Sequence, residues 1–200
     1  AGNRKTWTWS GWVKRNKIGS HNEIFGTTAT GGNNTWVRIL FESDDVIGIQ
    51  LDYGVTSFKT SRKFRDTSAW YHLVFAVDTT QATASNRLKV YVNGVQETAF
   101  SPENYVSQNH DTGINNTALH DIGRQGSSNS NHFDGIMSHI HFIDGTAYDA
   151  TAFGEVDSAT GQWKIKTSPT IADYGTNGFF ILEDGNSVTD QSGKGNNFTV

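Results

Sequence analysis

The chain has 200 residues, no cysteine, and 16 basic against 20 acidic side chains, for a formal net charge of −4. It is long enough to bury a full core without disulfides or metals and has no thiol chemistry. It also lacks the basic stripe that nucleic-acid binding needs, and its apolar runs are too short to cross a membrane as a helix. Gly, Ser, Thr and Asn are abundant, aromatics make up 12 % and charged residues 18 %, which suits short strands joined by many turns.

The first strand is TWTWSGWVKR, residues 6–15. Alternation puts Trp7, Trp9 and Val13 on one face and Trp12 on the other, beside Thr6, Thr8, Ser10 and Lys14. Trp7 and Trp9 are expected to fill a core. Trp12 is expected to be a half-buried surface residue that could meet a ligand or another chain. A second strand is expected over 22–28, followed by a loop over 26–34. Trp36–Glu42 and Val46–Asp52 read as strands joined by the acidic turn Ser43-Asp44-Asp45. Val37, Ile39 and Phe41 point inward, leaving Trp36, Arg38, Leu40 and Glu42 on the second face. An aromatic beside an arginine suits stacking on a sugar and equally suits burial under a neighbouring subunit, so Trp36 and Arg38 are candidate ligand-binding residues.

After a strand over 57–62, WYHLVFAVD (70–78) places Tyr71, Leu73, Phe75 and Val77 on one face and Trp70, His72, Val74 and Ala76 on the other. RLKVYVNGVQ adds a strand ending at Asn93-Gly94, a tight-hairpin signal because both residues tolerate positive φ. The loop Ser101–Thr117 is longer than a passive connection usually is. Its Asp111, Asn115 and Asn116 offer hard oxygen ligands of the kind calcium takes.

Strands are then expected over 119–124 and 133–143, separated by the loop GSSNSNH (126–132). In the second of them Ile136, Ile140 and Phe142 pack one way, so His139 and His141 project from the other face, about 7 Å apart at the strand repeat. They are candidate ligand contacts. With a third ligand from His72, His120 or His132 they would suit zinc, and without one they are hydrogen-bonded histidines on a sheet face. Asp149 can cap a short helical turn over 149–153, and strands near 162–166 and 178–183 follow. No segment carries helical spacing over three turns. The expectation is one all-β domain over 1–200, an antiparallel β-sandwich or jelly roll.

Three motifs in order, WYHLVFAVD, the strand closing in Tyr91-Val92-Asn93-Gly94, and FDGIMSHIHFIDG, resemble the laminin-G-like branch of the concanavalin-A-like lectin/glucanase superfamily. The likeness runs from Thr6 to about Asp149 and implies a jelly roll of two antiparallel sheets. A narrower likeness covers AGNRKTWTWSGWVKR, HIHFIDGTAYDATAFGEVDSATGQW and YGTNGFFILEDGN with DQSGKGNNFT. These segments are similar to virion or fibre-like proteins encoded by marine phages and other viruses. That likeness, and a start at Ala1-Gly2-Asn3, imply a portion of a longer polypeptide on a virion surface or outside a cell.

The superfamily includes sugar-binding lectins, calcium-holding adhesion modules and glucanases. The glucanase branch carries Glu-x-Asp-x-x-Glu on one strand; Glu155-Val156-Asp157-Ser158-Ala159-Thr160 lacks the second glutamate. A retaining glycosidase needs two carboxyl groups about 5 Å apart, and neither FESDD nor ILEDG supplies that spacing. The resemblance therefore implies a non-catalytic virion module, on a fibre, spike or capsid surface. It would bind glycans or other virion subunits, as a homo-oligomer and without nucleic acid or membrane. The alternatives are an assembly module without ligand and an unusual polysaccharide hydrolase.

Overall fold

The structure, a computed structural model, describes residues 2–28, 36–52, 56–126, 128–185 and 187–199. Fourteen strands lie among them: β1 (Thr6–Arg15), β2 (Asn22–Thr27), β3 (Arg38–Phe41), β4 (Val46–Asp52), β5 (Thr56–Lys63), β6 (Tyr71–Asp78) and β7 (Leu88–Val92), then β8 (Val95–Glu97), β9 (Phe100–Glu103), β10 (His120–Ile122), β11 (Gly135–Asp144), β12 (Gly154–Val156), β13 (Trp163–Ile165) and β14 (Phe179–Ile181). They form two six-stranded sheets, β14-β11-β1-β6-β7-β8 and β10-β2-β3-β4-β5-β9, and a two-stranded ribbon, β12-β13. All pairings are antiparallel. The expected all-β sandwich is what the chain forms. Among the described residues no helix is long and apolar enough to cross a membrane.

The core lies between the two sheets because period-two alternation gives each strand one apolar face. Trp7, Trp9 and Val13 of β1 meet Leu73, Phe75 and Val77 of β6 and Ile140 and Phe142 of β11. Phe25, Ile39, Phe41, Ile47, Ile49 and Phe58 face them from the second sheet. Trp9 packs against Phe25 and Phe75 at ring separations of 6.3 and 5.9 Å. Trp7 and Trp9 are thus core residues, as expected. Arg15 ends β1 fully buried, bonded to the Phe64 carbonyl and paired with Asp45 at 3.1 Å.

Two expectations about local structure change. In β11 the register against β1 slips between Ser10 and Trp12, and His139 takes a φ of +50°. A bulge of this kind turns the strand over. Ile136, expected inside, is 48 % exposed, and Met137 packs on the core in its place. The loop over 101–117 is built into the sandwich: its first residues form β9, Ile114 is a core residue, and Thr112 accepts a 3.0 Å bond from the Trp7 indole. The expected loop over 26–34 lies largely outside the described residues. Asn93 and Gly94 have positive φ and form the expected hairpin. Asp149 caps the turn at Ala150–Ala152 through Thr151 N.

The outer face of the first sheet is covered as well. Val74 and Ile143 point away from the main core and are buried with Ala150, Ala152 and Phe153 in a second cluster, joined by Tyr148, Trp163 and Tyr174. The segment from about residue 146 to 175 therefore lies over this face. Thr8 fastens it by donating to the Thr146 carbonyl and accepting from Tyr148 N.

Candidate functional site

Trp12, on the outer face of β1, pairs across the sheet with His72 of β6 and Ser138 of β11. The covering segment brings Trp163 of β13 to the same place. His72 is 1 % exposed and stacks with Trp12 at 4.9 Å and with Trp163 at 6.0 Å, interplanar angles 22° and 24°. Trp163 Nε1 donates to His72 Nδ1 at 2.9 Å, which leaves Nε2 carrying the proton toward Ser10 Oγ, also at 2.9 Å. Burial pushes His72 down to about 3, so the ring stays neutral and both nitrogens are satisfied. Trp163 has little freedom otherwise: a Cβ at Gly94 or at Gly154 would stand 2.6 or 2.5 Å from its ring. Two tryptophans are thus held rigidly around one imidazole.

Trp70, 38 % exposed at the start of β6, completes a surface cleft of about 290 Å³ lined by Trp12, Trp70, Ser138, Trp163, Lys164 and Ile165. Lys164 is paired with Asp157 at 3.0 Å and Glu155 at 3.6 Å. Asp157 also accepts from Ala159 N and from Thr160 N and Oγ1, so the partial glucanase-like string serves to hold a turn and a lysine at the cleft edge.

The other residues singled out in the sequence fall elsewhere. Arg38 donates to Glu23 in a bidentate pair, with bonds of 2.7 to 3.1 Å, while its guanidinium lies 5.4 Å from the Trp36 ring centre. Its Nε and Nη2 are committed inside the protein, and Trp36 is half-buried. His139 and His141 do not form an open pair. His141 is 2 % exposed, stacks on Phe180 at 4.0 Å and bonds Tyr174 Oη through Nδ1 at 2.8 Å. The covering segment is the reason. Its neighbour His139, turned by the bulge, bonds Ser138 Oγ at 2.7 Å. Among the described residues, no group of three or more His, Cys, Asp or Glu side chains could hold a metal ion. Asp111 lies 4.0 Å from Lys5 Nζ. Asn115, buried, donates to Asn3 O and Asp144 Oδ1 and accepts from Asn177 Nδ2, so its side chain ties three segments of the chain together.

Asn116 instead stands at the mouth of a second cavity, of about 320 Å³, at the edge of the sandwich between β10 and β14. It is lined by Phe25, Phe142, Phe179 and Phe198 together with His120, Asn115, Asn116, Asn177, Asn196 and Asn197. The loop that supplies Asn196 to Phe198 is folded around the Asp190 carboxylate, which accepts from Phe180 N, Ser192 N, Ser192 Oγ and Asn196 N. Asp190-Gln191-Ser192-Gly193-Lys194-Gly195-Asn196, quoted above for its resemblance, is thus a loop with a defined structural task.

Two stacked antiparallel sheets with ligand-sized clefts on one outer face and at one edge define a lectin-like β-sandwich. The family profile described as Laminin_G_3, Concanavalin A-like lectin/glucanases superfamily, matches residues 2–151, and the chain belongs to that superfamily. No curated protein matches it. Among solved structures it is similar to a proposed carbohydrate binding protein from Bacteroides ovatus ATCC 8483, with 15 % identity and a TM-score of 0.52 over 85 % of this chain and 56 % of that one. It is also similar to the heptameric SAP-like pentraxin of Limulus polyphemus, with 17 % identity and a TM-score of 0.52 over 92 % and 82 %. A third is the NanB sialidase of Streptococcus pneumoniae, with 19 % identity and a TM-score of 0.51 over 76 % and 25 %. The chain thus spans little more than half of the first of these. Trp163, Asn177 and Asn196 to Phe198 lie beyond the matched residues 2–151.

Proposed function

We propose that this chain is a non-catalytic carbohydrate-binding module. The observation that carries the reading is the cleft of Trp12, Trp70 and Trp163. Sugar rings present C–H faces that stack on indoles, and rigid aromatics give up little conformational entropy on binding. Trp12 and Trp163 are fixed by their stacking with neutral His72, so the cleft is formed before ligand arrives. Membership of a lectin/glucanases superfamily supports the reading, as does the likeness to a protein described as carbohydrate binding.

The setting we propose is a virion surface, on a fibre, spike or capsid, with attachment to a host glycan or to neighbouring subunits as the task. The likeness of the opening, middle and closing segments to virion proteins of marine phages supports it. Repetition on a particle or a homo-oligomer would strengthen weak single sites. Labelling intact particles with an antibody to the chain tests that setting, and particles without the antigen would remove it.

A glycan array followed by calorimetry tests the binding. Trp70→Ala is expected to weaken the best ligand about tenfold, or about 1.4 kcal/mol, with the melting temperature unchanged because Trp70 is at the surface. Unaltered affinity in this variant would end the proposal for the cleft.

A further inference from the structure

We infer that the cavity between β10 and β14 is a second ligand site, separate from the tryptophan cleft, and that it takes an uncharged sugar bearing an acetamido group. Three observations carry this. First, the cavity lining combines two chemistries. Its phenylalanines are continuous with the core, Phe142 stacking on Phe179 at 5.5 Å and Phe179 meeting Phe198 edge-on at 4.7 Å. Five asparagines, Asn115, Asn116, Asn177, Asn196 and Asn197, supply most of the rest. A volume of about 320 Å³ is at the small end for ligand pockets and suits one or two sugar rings.

Second, the asparagines divide into holders and free groups. Asn115 and Asn177 are locked to each other and to Asp144. Asn116 uses only its Oδ1, on Ala118 N, and Asn197 only its Oδ1, on Asp190 N. Asn196 uses only its Nδ2 and its backbone amide. Two amide donors and one amide acceptor are therefore left without a protein partner on a mouth whose backbone is fixed. An acetamido group supplies the complement: a carbonyl for Asn116 or Asn197, an N–H for Asn196, and a methyl for the phenylalanines.

Third, no ionisable side chain except His120 lines the cavity, and His120 has no proton to offer. Its Nδ1 donates to Ala118 O and its Nε2 accepts from Asn115 N, at 2.9 and 3.1 Å. With no cation to receive it, a carboxylated sugar would meet only neutral amide donors, too little to offset desolvation of its charge.

The test is ¹H–¹⁵N NMR of the side-chain amides of the whole chain, titrated with N,N′-diacetylchitobiose, cellobiose and glucuronic acid in parallel. The acetamido sugar is expected to shift the Asn116, Asn196 and Asn197 amides, in the wild type and equally in Trp70→Ala; the other two sugars are expected to leave them in place. Asn116→Asp keeps the Oδ1 that holds Ala118 N and replaces the free donor by a charged carboxylate oxygen that only accepts. It is expected to melt as the wild type does and to bind about fivefold or more weakly, about 1 kcal/mol. Amides unmoved by diacetylchitobiose, an equal response to glucuronic acid, or full affinity in Asn116→Asp would each overturn the inference. A response that vanishes in Trp70→Ala would assign the binding to the tryptophan cleft and overturn it as well.

Discussion

Single residues in this chain do work that their type alone does not announce. The three tryptophans of β1 are chemically identical, yet the strand's alternation sends Trp7 and Trp9 into the core and Trp12 onto the outer face. That division was legible in the sequence. The role of Arg38 was not, because its partner Glu23 is fifteen residues away on the adjacent strand. Glu23 is 1 % exposed, and burial pushes its carboxyl up to about 7 against the opposing pull of Arg38. Arg38→Met is expected to cost about 3 kcal/mol, the low end for breaking a buried pair, since a carboxyl already raised takes up a proton rather than stay charged. Adding Glu23→Gln is expected to recover most of that loss. Urea unfolding of both variants checks this; a double variant as unstable as the single one would show that the pair is not the cause.

At the scale of elements, most strands were legible from alternation and turn residues, including the Asn93-Gly94 hairpin. The short strands β9 and β12 were not: β9 opens a segment that reads as a loop, and β12 follows directly on the helical turn. Nor was the bulge in β11: a shift of one position leaves the local pattern intact and shows only in the pairing with β1. The ribbon β12-β13 has a further consequence for the cleft. Gly154 in β12 lies flat against Trp163, with a Cβ position 2.5 to 2.7 Å from ring atoms. Gly154→Ala is therefore expected to destabilise by about 1–3 kcal/mol and to push the indole outward. A red-shifted tryptophan emission together with weaker glycan binding is the expected result; unchanged emission would mean that the ribbon yields instead.

For the whole molecule, the buried imidazoles set the response to acid. His72 and His141 are held near 3 against an ordinary value of 6.5 by burial, with repulsion from neighbouring histidines adding to it for His141. Below about 6.5 the unfolded chain takes up two protons that the folded chain refuses, so stability falls with pH. Glu23 works the other way: its carboxyl, raised from 4.5 to about 7, binds a proton in the folded state first. Two protons outweigh one. Between about pH 6 and 4.5 the net expectation is a loss of about 1.4 kcal/mol per pH unit, before His120 and His139, both also lowered, are added. Denaturant midpoints at pH 6, 5 and 4.5 test this, and a midpoint that holds or rises would contradict it. The fold at this scale was legible in the order of motifs. The candidate site was legible only in part. Trp70, His72 and Trp12 were each on outer faces, but sequence does not say that strands 60 residues apart sit side by side. It also does not say that residues 146 to 175 return to bury His141.

The placement of Trp163 bears on how such a surface could change over generations. A short exchangeable ribbon supplies one wall of the cleft, and the sandwich beneath supplies the rest. A ribbon that kept the indole donor to His72 while changing Lys164 and Ile165 would reshape the cleft wall and leave the buried imidazole satisfied, so the surface can vary around one fixed anchor.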